Sequence, residues 1–161
     1  MRDQILSQAL QSLHTEGLRF SVDVLAARMK ISKKTIYKYF PTKEALALAI
    51  YEQYYAAVSE TMARLLATPE CDRVRLLRAY YDAKQISREE IFNKYNLNNV
   101  IRAYTAAQND KLWAMAGSVL CASLNPGQAL AARVIVDGAF ERLCRTGGPE
   151  DDVIEMLEKL L

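Results

Sequence analysis

Apolar residues recur along almost the whole chain at the three- and four-residue spacing of an amphipathic helix. The first of these stripes contains Ile5, Leu6, Ala9, Leu10 and Leu13, and comparable stripes follow towards the last residues. Because the same face recurs about every 3.6 positions in an α-helix and at every second position in a strand, this spacing favours helices. No segment alternates with period two between turn residues. We therefore predict an all-α fold with about nine helices.

Residues that cap or break helices divide the first part of this pattern into four elements. Gly17 suits the end of the first helix, because glycine is common just past a helix C-terminus. Ser21 and Ser32 are each placed to cap a short helix. Thr42 is placed to cap a fourth, long helix over about residues 43–67.

Helical spacing continues in the second part of the chain. The expected elements there are Asp72–Lys84, a helix opened by the capping box Ser87–Glu90, Val100–Leu124 as one helix or two, about Gln128–Arg145, and Val153–Leu161. Asn125-Pro126-Gly127 is a strong stop, and Asp151 or Asp152 starts the last helix. We find no repeat and no linker.

The basic residues are concentrated in one short segment. The net charge is +2, but residues 1–50 carry 8 Lys/Arg against 4 Asp/Glu, and the remainder carries 13 against 15. Between Val24 and Lys43 there is no acid, and the six basic residues are Arg28, Lys30, Lys33, Lys34, Lys38 and Lys43. Because charges on a neutral surface are usually mixed in sign, this segment favours an anionic partner.

The same segment has the spacing of a helix-turn-helix. Two helices of about two turns each are joined by a short turn, and in such a motif the second helix enters the major groove of DNA. Ile36 and Phe40 are four residues apart on the second helix and are expected to face the core. Lys34, Tyr37 and Lys38 share a different face, where ammonium and hydroxyl groups suit phosphates and base edges. The pattern predicts nucleic acid as the partner, and the alternative is a solvated basic face on a small helical domain.

The stretch from Ser32 to Leu46 contains the signature S-K-x-T-[IL]-Y-x-Y-F-x-x-K-E-x-L without a gap. Together with the first helical stripe, it resembles the DNA-binding domain of TetR-family transcriptional regulators, and the resemblance covers residues 1–50. It implies a helix-turn-helix DNA-binding domain over residues 1–46. The fourth helix would connect this domain to a helical effector-binding and dimerisation domain over residues 47–161.

The resemblance also implies roles for individual residues. Those expected to cap the DNA-binding helices or to face bases and phosphates are Ser21, Ser32, Lys33, Lys34, Thr35, Tyr37, Lys38, Tyr39 and Lys43. For an effector pocket in the second domain, we single out Tyr80, Tyr104 and Trp113 from the aromatic residues. The alternative is that these rings belong to the core, which is the commoner place for aromatic residues at helical spacing.

Two features depart from the family pattern. Lys30 stands at the turn position that is usually glycine, which predicts either a strained φ or a different turn geometry. Few residues precede Ile5, so we expect little of the basic N-terminal arm that some members place in the minor groove.

As a whole, the resemblance implies a ligand-responsive homodimer, which is most often a repressor in this family. The last two helices, at about residues 126–145 and 150–161, would form a four-helix bundle with the same pair of a second subunit. Two-fold symmetry presents two recognition helices to two half-sites, so the operator is expected to be palindromic. A small-molecule effector, not identified by the sequence, would act by binding one spacing of the two heads better than the other.

Other function classes find little support. His14 is the only histidine, the three cysteines form no C-x-x-C pair, and no Gly-rich phosphate loop occurs, so we expect no enzyme, metal or cofactor. No apolar run reaches the ~18 residues of a membrane span, and no signal peptide opens the sequence, so we expect a cytoplasmic protein without a membrane partner. The remaining alternative is a helical dimeric interaction module whose basic face binds a partner other than specific DNA.

Overall fold

The computed structural model describes residues 1–16, 21–86 and 99–161, and every regular element in these ranges is an α-helix. In chain order the helices are α1 (Arg2–Glu16), α2 (Val22–Arg28), α3 (Lys33–Tyr39), α4 (Lys43–Leu66), α5 (Arg73–Ile86), α6 (Asn99–Leu120), α7 (Pro126–Thr146) and α8 (Glu150–Leu160). The predicted all-α class is confirmed. The predicted helix end at Gly17 and the capping box at Ser87–Glu90 lie outside the described residues.

Side-chain caps begin α2, α3 and α4, as the sequence predicts. The Ser21 hydroxyl accepts a hydrogen bond from the backbone N–H of Asp23 at 3.2 Å. The hydroxyls of Ser32 and Thr42 each accept one from the backbone N–H three residues later, at 3.1 Å and 3.0 Å. Each cap satisfies an N–H group that has no partner within its own helix, so the three helix starts are defined by local chemistry.

Two predicted bounds in the second half of the chain need correction. The two alternatives for Val100–Leu124 resolve to a single helix, α6, which continues through the asparagine-containing middle and ends at Leu120. α7 begins at Pro126 and not near Gln128. Proline needs no N–H partner at the first helical position, and Asn125 forms a reciprocal capping box with Gln128. The residues predicted to stop one helix therefore also start the next.

The start of α8 is also earlier than predicted. The helix begins at Glu150, and its N-cap is Pro149, which supplies no side-chain hydrogen bond. Asp151 and Asp152 lie in the first turn and do not cap it. Carboxylates at this position are favoured by the positive end of the helix dipole.

The described residues form two compact units. The first unit contains the described residues of Met1–Ala57 and Ser87–Thr105. The second unit contains the described residues of Val58–Ile86 and Ala106–Leu161. In the first unit, α1, α2, α3 and the start of α4 share one apolar core, whose buried members are Ile5, Leu6, Ala9, Val22, Leu25, Ala26, Ile36, Phe40, Leu46, Ala49 and Ile50. This core holds α3 by one side only.

The turn between α2 and α3 is a left-handed helix cap at Lys30, which has a φ of 53°. Its N–H donates to the carbonyl of Ala27 at 3.1 Å, and the N–H of Ile31 donates to the carbonyl of Ala26 at 3.0 Å. These two bonds are the Schellman arrangement, which usually has glycine at the left-handed position. Of the two predicted alternatives, the structure shows the positive φ, with glycine-type turn geometry retained.

We expect Lys30→Gly to raise the free energy of unfolding by about 1 kcal/mol, because glycine adopts a left-handed φ without the steric cost of a Cβ atom. Urea unfolding followed by circular dichroism measures the change. Lys30→Ala is the control, since it removes the ammonium group and keeps the Cβ, and it is expected to give no gain. Equal stability of the two variants would contradict this account of the turn.

The second unit is built around α5, which packs against α8, and α8 also packs against α7. The Tyr81 ring of α5 meets that of Phe140 at 5.1 Å between centroids, and the Tyr81 hydroxyl donates to the carbonyl of Val136 at 2.9 Å. Leu76 and Leu77 of α5 have no exposed surface. Within the described ranges, no helix combines the length and the apolar character that crossing a membrane requires.

Candidate nucleic-acid interface

The core divides α3 into a buried side and an exposed side. Ile36 has no exposed surface, and Phe40, just past the helix end, is also buried. Lys34, Tyr37 and Lys38 are exposed to solvent. The predicted core side of this helix is confirmed, and the groups that α3 presents outward follow from it.

The lysines of this region differ in their surroundings. No described residue forms an ion pair with Lys34 or Lys38, so their ammonium groups are open to a ligand. Lys33 is exposed as well, but its ammonium binds the carboxylate of Asp23 at the start of α2. Lys43 is exposed as the first residue of α4. Lys33 thus differs from Lys34 and Lys38, because its charge is balanced by an acid of the neighbouring helix.

The hydroxyl groups fall into two sets. Tyr37 and Tyr39 are 36 % and 38 % exposed, so their phenols can reach an incoming phosphate. The Ser21 and Ser32 hydroxyls already accept backbone N–H groups as caps, and the Ser32 hydroxyl also lies 2.9 Å from that of Thr35. The serines and Thr35 therefore shape α2 and α3, whereas the tyrosines extend from α3.

Two contacts near α3 join residues of different helices or helix ends. One is the ion pair of Asp23 with Lys33, which links α2 to α3. In the other, the guanidinium of Arg2 lies 5.2 Å from the centre of the Phe40 ring, which brings a cation from the start of α1 to the end of α3. The sequence pattern does not predict either contact. The sequence shows only that each contact joins residue types that attract each other: opposite charges in the first, and a cation with an aromatic ring in the second.

The exposed side of α3 offers hydrogen-bond donors and positive charge. Lysine ammonium groups donate and do not accept, and they suit phosphate oxygens as well as the O6 and N7 atoms of guanine. α3 contains no carboxylate that would repel a phosphate. Among the described residues, no group of His, Cys, Asp and Glu side chains is arranged to hold a metal ion. The chemistry available here is binding of a polyanion.

Of the three aromatic residues singled out for an effector pocket, the structure brings two together. The Tyr80 and Trp113 rings of the second unit lie 5.3 Å apart and are tilted by 54°, and both side chains are buried. Tyr104 belongs to the first unit, where its ring meets that of Tyr55 edge-on at 6.1 Å. Burial raises the pKa of the Tyr104 phenol, and the charge of Glu52 adds to the effect.

A polar cluster surrounds Asp137 in the second unit. Its carboxylate accepts hydrogen bonds from the Tyr80 hydroxyl at 2.9 Å and from the Lys84 ammonium at 2.7 Å. The guanidinium of Arg133 lies 3.5 Å from the other carboxylate oxygen and also binds Asp110. Burial, reinforced by the Asp137 charge, raises the pKa of Tyr80 well above its ordinary range. The cluster joins α5, α6 and α7, so Tyr80 contributes to the packing of this unit.

α7 and α8 carry large apolar side chains on the surface of the second unit. Leu130 and Val134 of α7 are 67 % and 65 % exposed, and Met156 and Leu160 of α8 are 71 % and 63 % exposed. The members of each pair are four residues apart and therefore share a helix face. Apolar side chains exposed in this way make these two faces candidate contact surfaces.

The first part of the chain matches a described protein family. Residues 5–50 match the family model "Bacterial regulatory proteins, tetR family". The uncharacterized HTH-type transcriptional regulator YvaF of Bacillus subtilis is 32 % identical over 60 residues, which are 37 % of this chain and 32 % of that protein. The HTH-type transcriptional repressor NicS of Pseudomonas putida is 28 % identical over 135 residues, which are 80 % of this chain and 63 % of that protein. The chain thus spans less than two thirds of the length of either relative.

Solved structures share the fold over nearly the whole chain. A transcriptional regulator of the TetR/AcrR family from Thermobifida fusca has a TM-score of 0.64 and 21 % identity, covering 99 % of this chain and 94 % of its own. The multidrug binding protein EbrR, in complex with ethidium, has a TM-score of 0.65 and 22 % identity, covering 99 % and 98 %. At these identities the likeness establishes the fold.

Proposed function

Because the chain belongs, through its N-terminal domain, to the tetR family of bacterial regulatory proteins, we propose that it controls transcription as a homodimer that binds a palindromic operator and responds to a small molecule. The family consists of DNA-binding regulators and not of enzymes. A repressor role is supported by NicS, which is named a repressor and aligns with 80 % of this chain. The DNA target is in keeping with a cytoplasmic location.

The observation that carries this proposal is the exposed side of α3. Lys34 and Lys38 extend from a helix whose opposite side is fixed in the core, and no described acid neutralises them. We assign base contacts to these two lysines. Tyr37, Tyr39 and Lys43 are assigned to phosphates, because phenol and ammonium groups are common backbone contacts.

The proposed dimer uses the apolar surface of α7 and α8. Leu130, Val134, Met156 and Leu160 would be removed from water by packing against the same helices of a second subunit. A two-fold interface of this kind presents the same patch twice, and it brings two copies of α3 to the two halves of a palindrome. Dimerisation and operator symmetry are therefore one proposal.

For the effector, we keep the three aromatic residues as candidate contacts, Tyr80 and Trp113 in the second unit and, separately, Tyr104 in the first. The Tyr80 and Trp113 rings lie together and buried in the second unit, so an effector would reach them only where the packing around them opens. EbrR, which shares the fold, is described as a multidrug binding protein in complexes with ethidium and proflavin, and this supports an aromatic effector. An effector changes operator binding only if it binds one state of the dimer better than the other.

Selection of binding sites from a random duplex pool, at roughly physiological salt, tests the function. We expect one palindrome to be enriched, with a slope of log K against log salt near −7 if a dimer neutralises about eight phosphates. Binding that is weak, indifferent to sequence and lost at modest salt would instead favour an interaction module with a different partner.

The lysines are expected to separate by role when they are replaced by alanine. Lys34→Ala or Lys38→Ala should lower discrimination between the operator and its base-substituted forms by about 1–3 kcal/mol. Lys43→Ala should weaken all sequences about equally and reduce the salt slope by about one per subunit. Titration of a set of single-base variants of the operator measures both effects.

Lys111→Ala is the matched control for these variants, because it removes one exposed lysine from α6, a helix that belongs to neither proposed surface. It is expected to leave DNA binding unchanged. If Lys34→Ala, Lys38→Ala and Lys43→Ala all lose affinity equally for every duplex, the assignment of base contacts is wrong.

A further inference from the structure

We propose that Asp23 limits the affinity of this protein for non-operator DNA by holding the ammonium of Lys33 away from phosphates. Asp23 is then a positioning residue that raises specificity without touching a base. This role rests on the proposed function, since it concerns the DNA-binding surface built around α3.

Two local contacts place Asp23 for this role. Its backbone N–H donates to the Ser21 hydroxyl at 3.2 Å, so the N-cap orients the first turn of α2. Its carboxylate binds the ammonium of Lys33, the first residue of α3. The pair therefore joins the start of one helix to the start of the next, directly before Lys34 on the exposed side of α3.

The ion pair of Asp23 with Lys33 contributes little to folding stability. The Lys33 and Asp23 side chains are 55 % and 62 % exposed. An ion pair that is exposed to water contributes little to the free energy of folding, and salt screens it further. The apolar core and the serine caps hold α2 and α3 in place. A carboxylate nevertheless lies against a segment that has no acid between residues 24 and 43.

The pair affects operator and non-operator complexes differently. On random DNA the protein can shift along the duplex until each cation meets a phosphate, because this binding is almost wholly ionic. At an operator, base contacts by Lys34 and Lys38 fix the register of the protein on the duplex. A further ammonium group therefore adds less binding free energy there than on random DNA. Withdrawing Lys33 therefore weakens non-operator binding more than operator binding, and the ratio between the two affinities rises.

The test compares Asp23→Asn, which keeps the size of the side chain, with the wild-type protein on two duplexes. One duplex is the operator recovered by selection, and the other is a scrambled sequence of equal length. We expect Asp23→Asn to bind the scrambled duplex about fivefold more tightly, with a salt slope steeper by about one per subunit. Operator affinity should rise less than about twofold, because the register there is fixed.

Two further variants show that the gain comes from Lys33. Glu70→Gln removes one exposed carboxylate from the segment between α4 and α5, and it is expected to bind both duplexes as the wild type does. Adding Lys33→Gln to Asp23→Asn should abolish the gain on the scrambled duplex. Lys33→Gln alone should change that affinity by less than about twofold, and it tests the same point if Asp23→Asn does not fold.

Three results would overturn the role of Asp23. The first is no gain of Asp23→Asn over Glu70→Gln on the scrambled duplex, and the second is an equal gain on both duplexes. The third is a severalfold loss from Lys33→Gln alone, which would place Lys33 on DNA despite the carboxylate. Failure of the wild-type protein to select any site contradicts the proposed function itself, and it is seen before any variant is compared.

Discussion

Leu130→Glu combined with Val134→Glu is expected to produce a monomer and to lower operator affinity about a thousandfold, because one recognition helix contacts only one half-site. Both side chains are about two thirds exposed on α7, on the surface proposed to meet a second subunit. Carboxylates buried there without partners would cost more than the apolar contact gains. Analytical ultracentrifugation measures the mass, and a mobility-shift titration with the selected operator measures the affinity.

Ala107→Glu combined with Ala114→Glu is the control, since it adds the same charges at exposed positions of α6. This variant is expected to remain dimeric and to bind the operator normally. Circular dichroism should show equal helix content in both variants. If Leu130→Glu/Val134→Glu stays dimeric at micromolar concentration, or becomes monomeric with undiminished operator affinity, the proposed dimer is wrong.

Asp137→Ala is expected to lower the free energy of unfolding by about 3–5 kcal/mol, because it removes one partner of a largely buried ion pair. The Lys84 side chain is only 13 % exposed, and its ammonium lies 2.7 Å from the Asp137 carboxylate. The same substitution deprives the buried Tyr80 hydroxyl of its acceptor. Urea unfolding followed by circular dichroism gives the free energy.

Adding Lys84→Met to Asp137→Ala is expected to recover much of the loss, since an apolar side chain of similar length needs no counter-charge. Asp137→Asn keeps an oxygen for the Tyr80 hydroxyl, and it should cost less than Asp137→Ala. A loss below about 1 kcal/mol for Asp137→Ala would mean that the pair behaves as an exposed one, contrary to its burial.

The fold is predictable from the sequence where a helix start depends on neighbouring residues. Ser21, Ser32 and Thr42 each act on an N–H group two or three residues away, and all three caps are found as predicted. The starts of α7 and α8 are harder to predict. Pro126 can either stop or start a helix, and Pro149 opens α8 without any side-chain bond.

The candidate DNA-binding surface is predictable in outline for the same reason. The side of α3 that faces the core is set by Ile36 and Phe40, which are four residues apart, and the exposed lysines follow from it. The pair of Asp23 with Lys33 depends on the angle between two helices, which no local pattern encodes. The proximity of Tyr80 to Asp137 likewise joins residues 57 positions apart, so the sequence marks the aromatic ring and not its acceptor.

The chain contains one tryptophan, Trp113, and it is buried in the second unit against Tyr80. Excitation at the red edge of the absorption band, where tyrosine does not absorb, therefore gives emission from the second unit alone. The helix signal in circular dichroism comes from both units. Coincident denaturation curves from the two signals would mark one cooperative system, and separated curves would mark two. The protein thus carries its own optical label in the half to which effector binding is assigned.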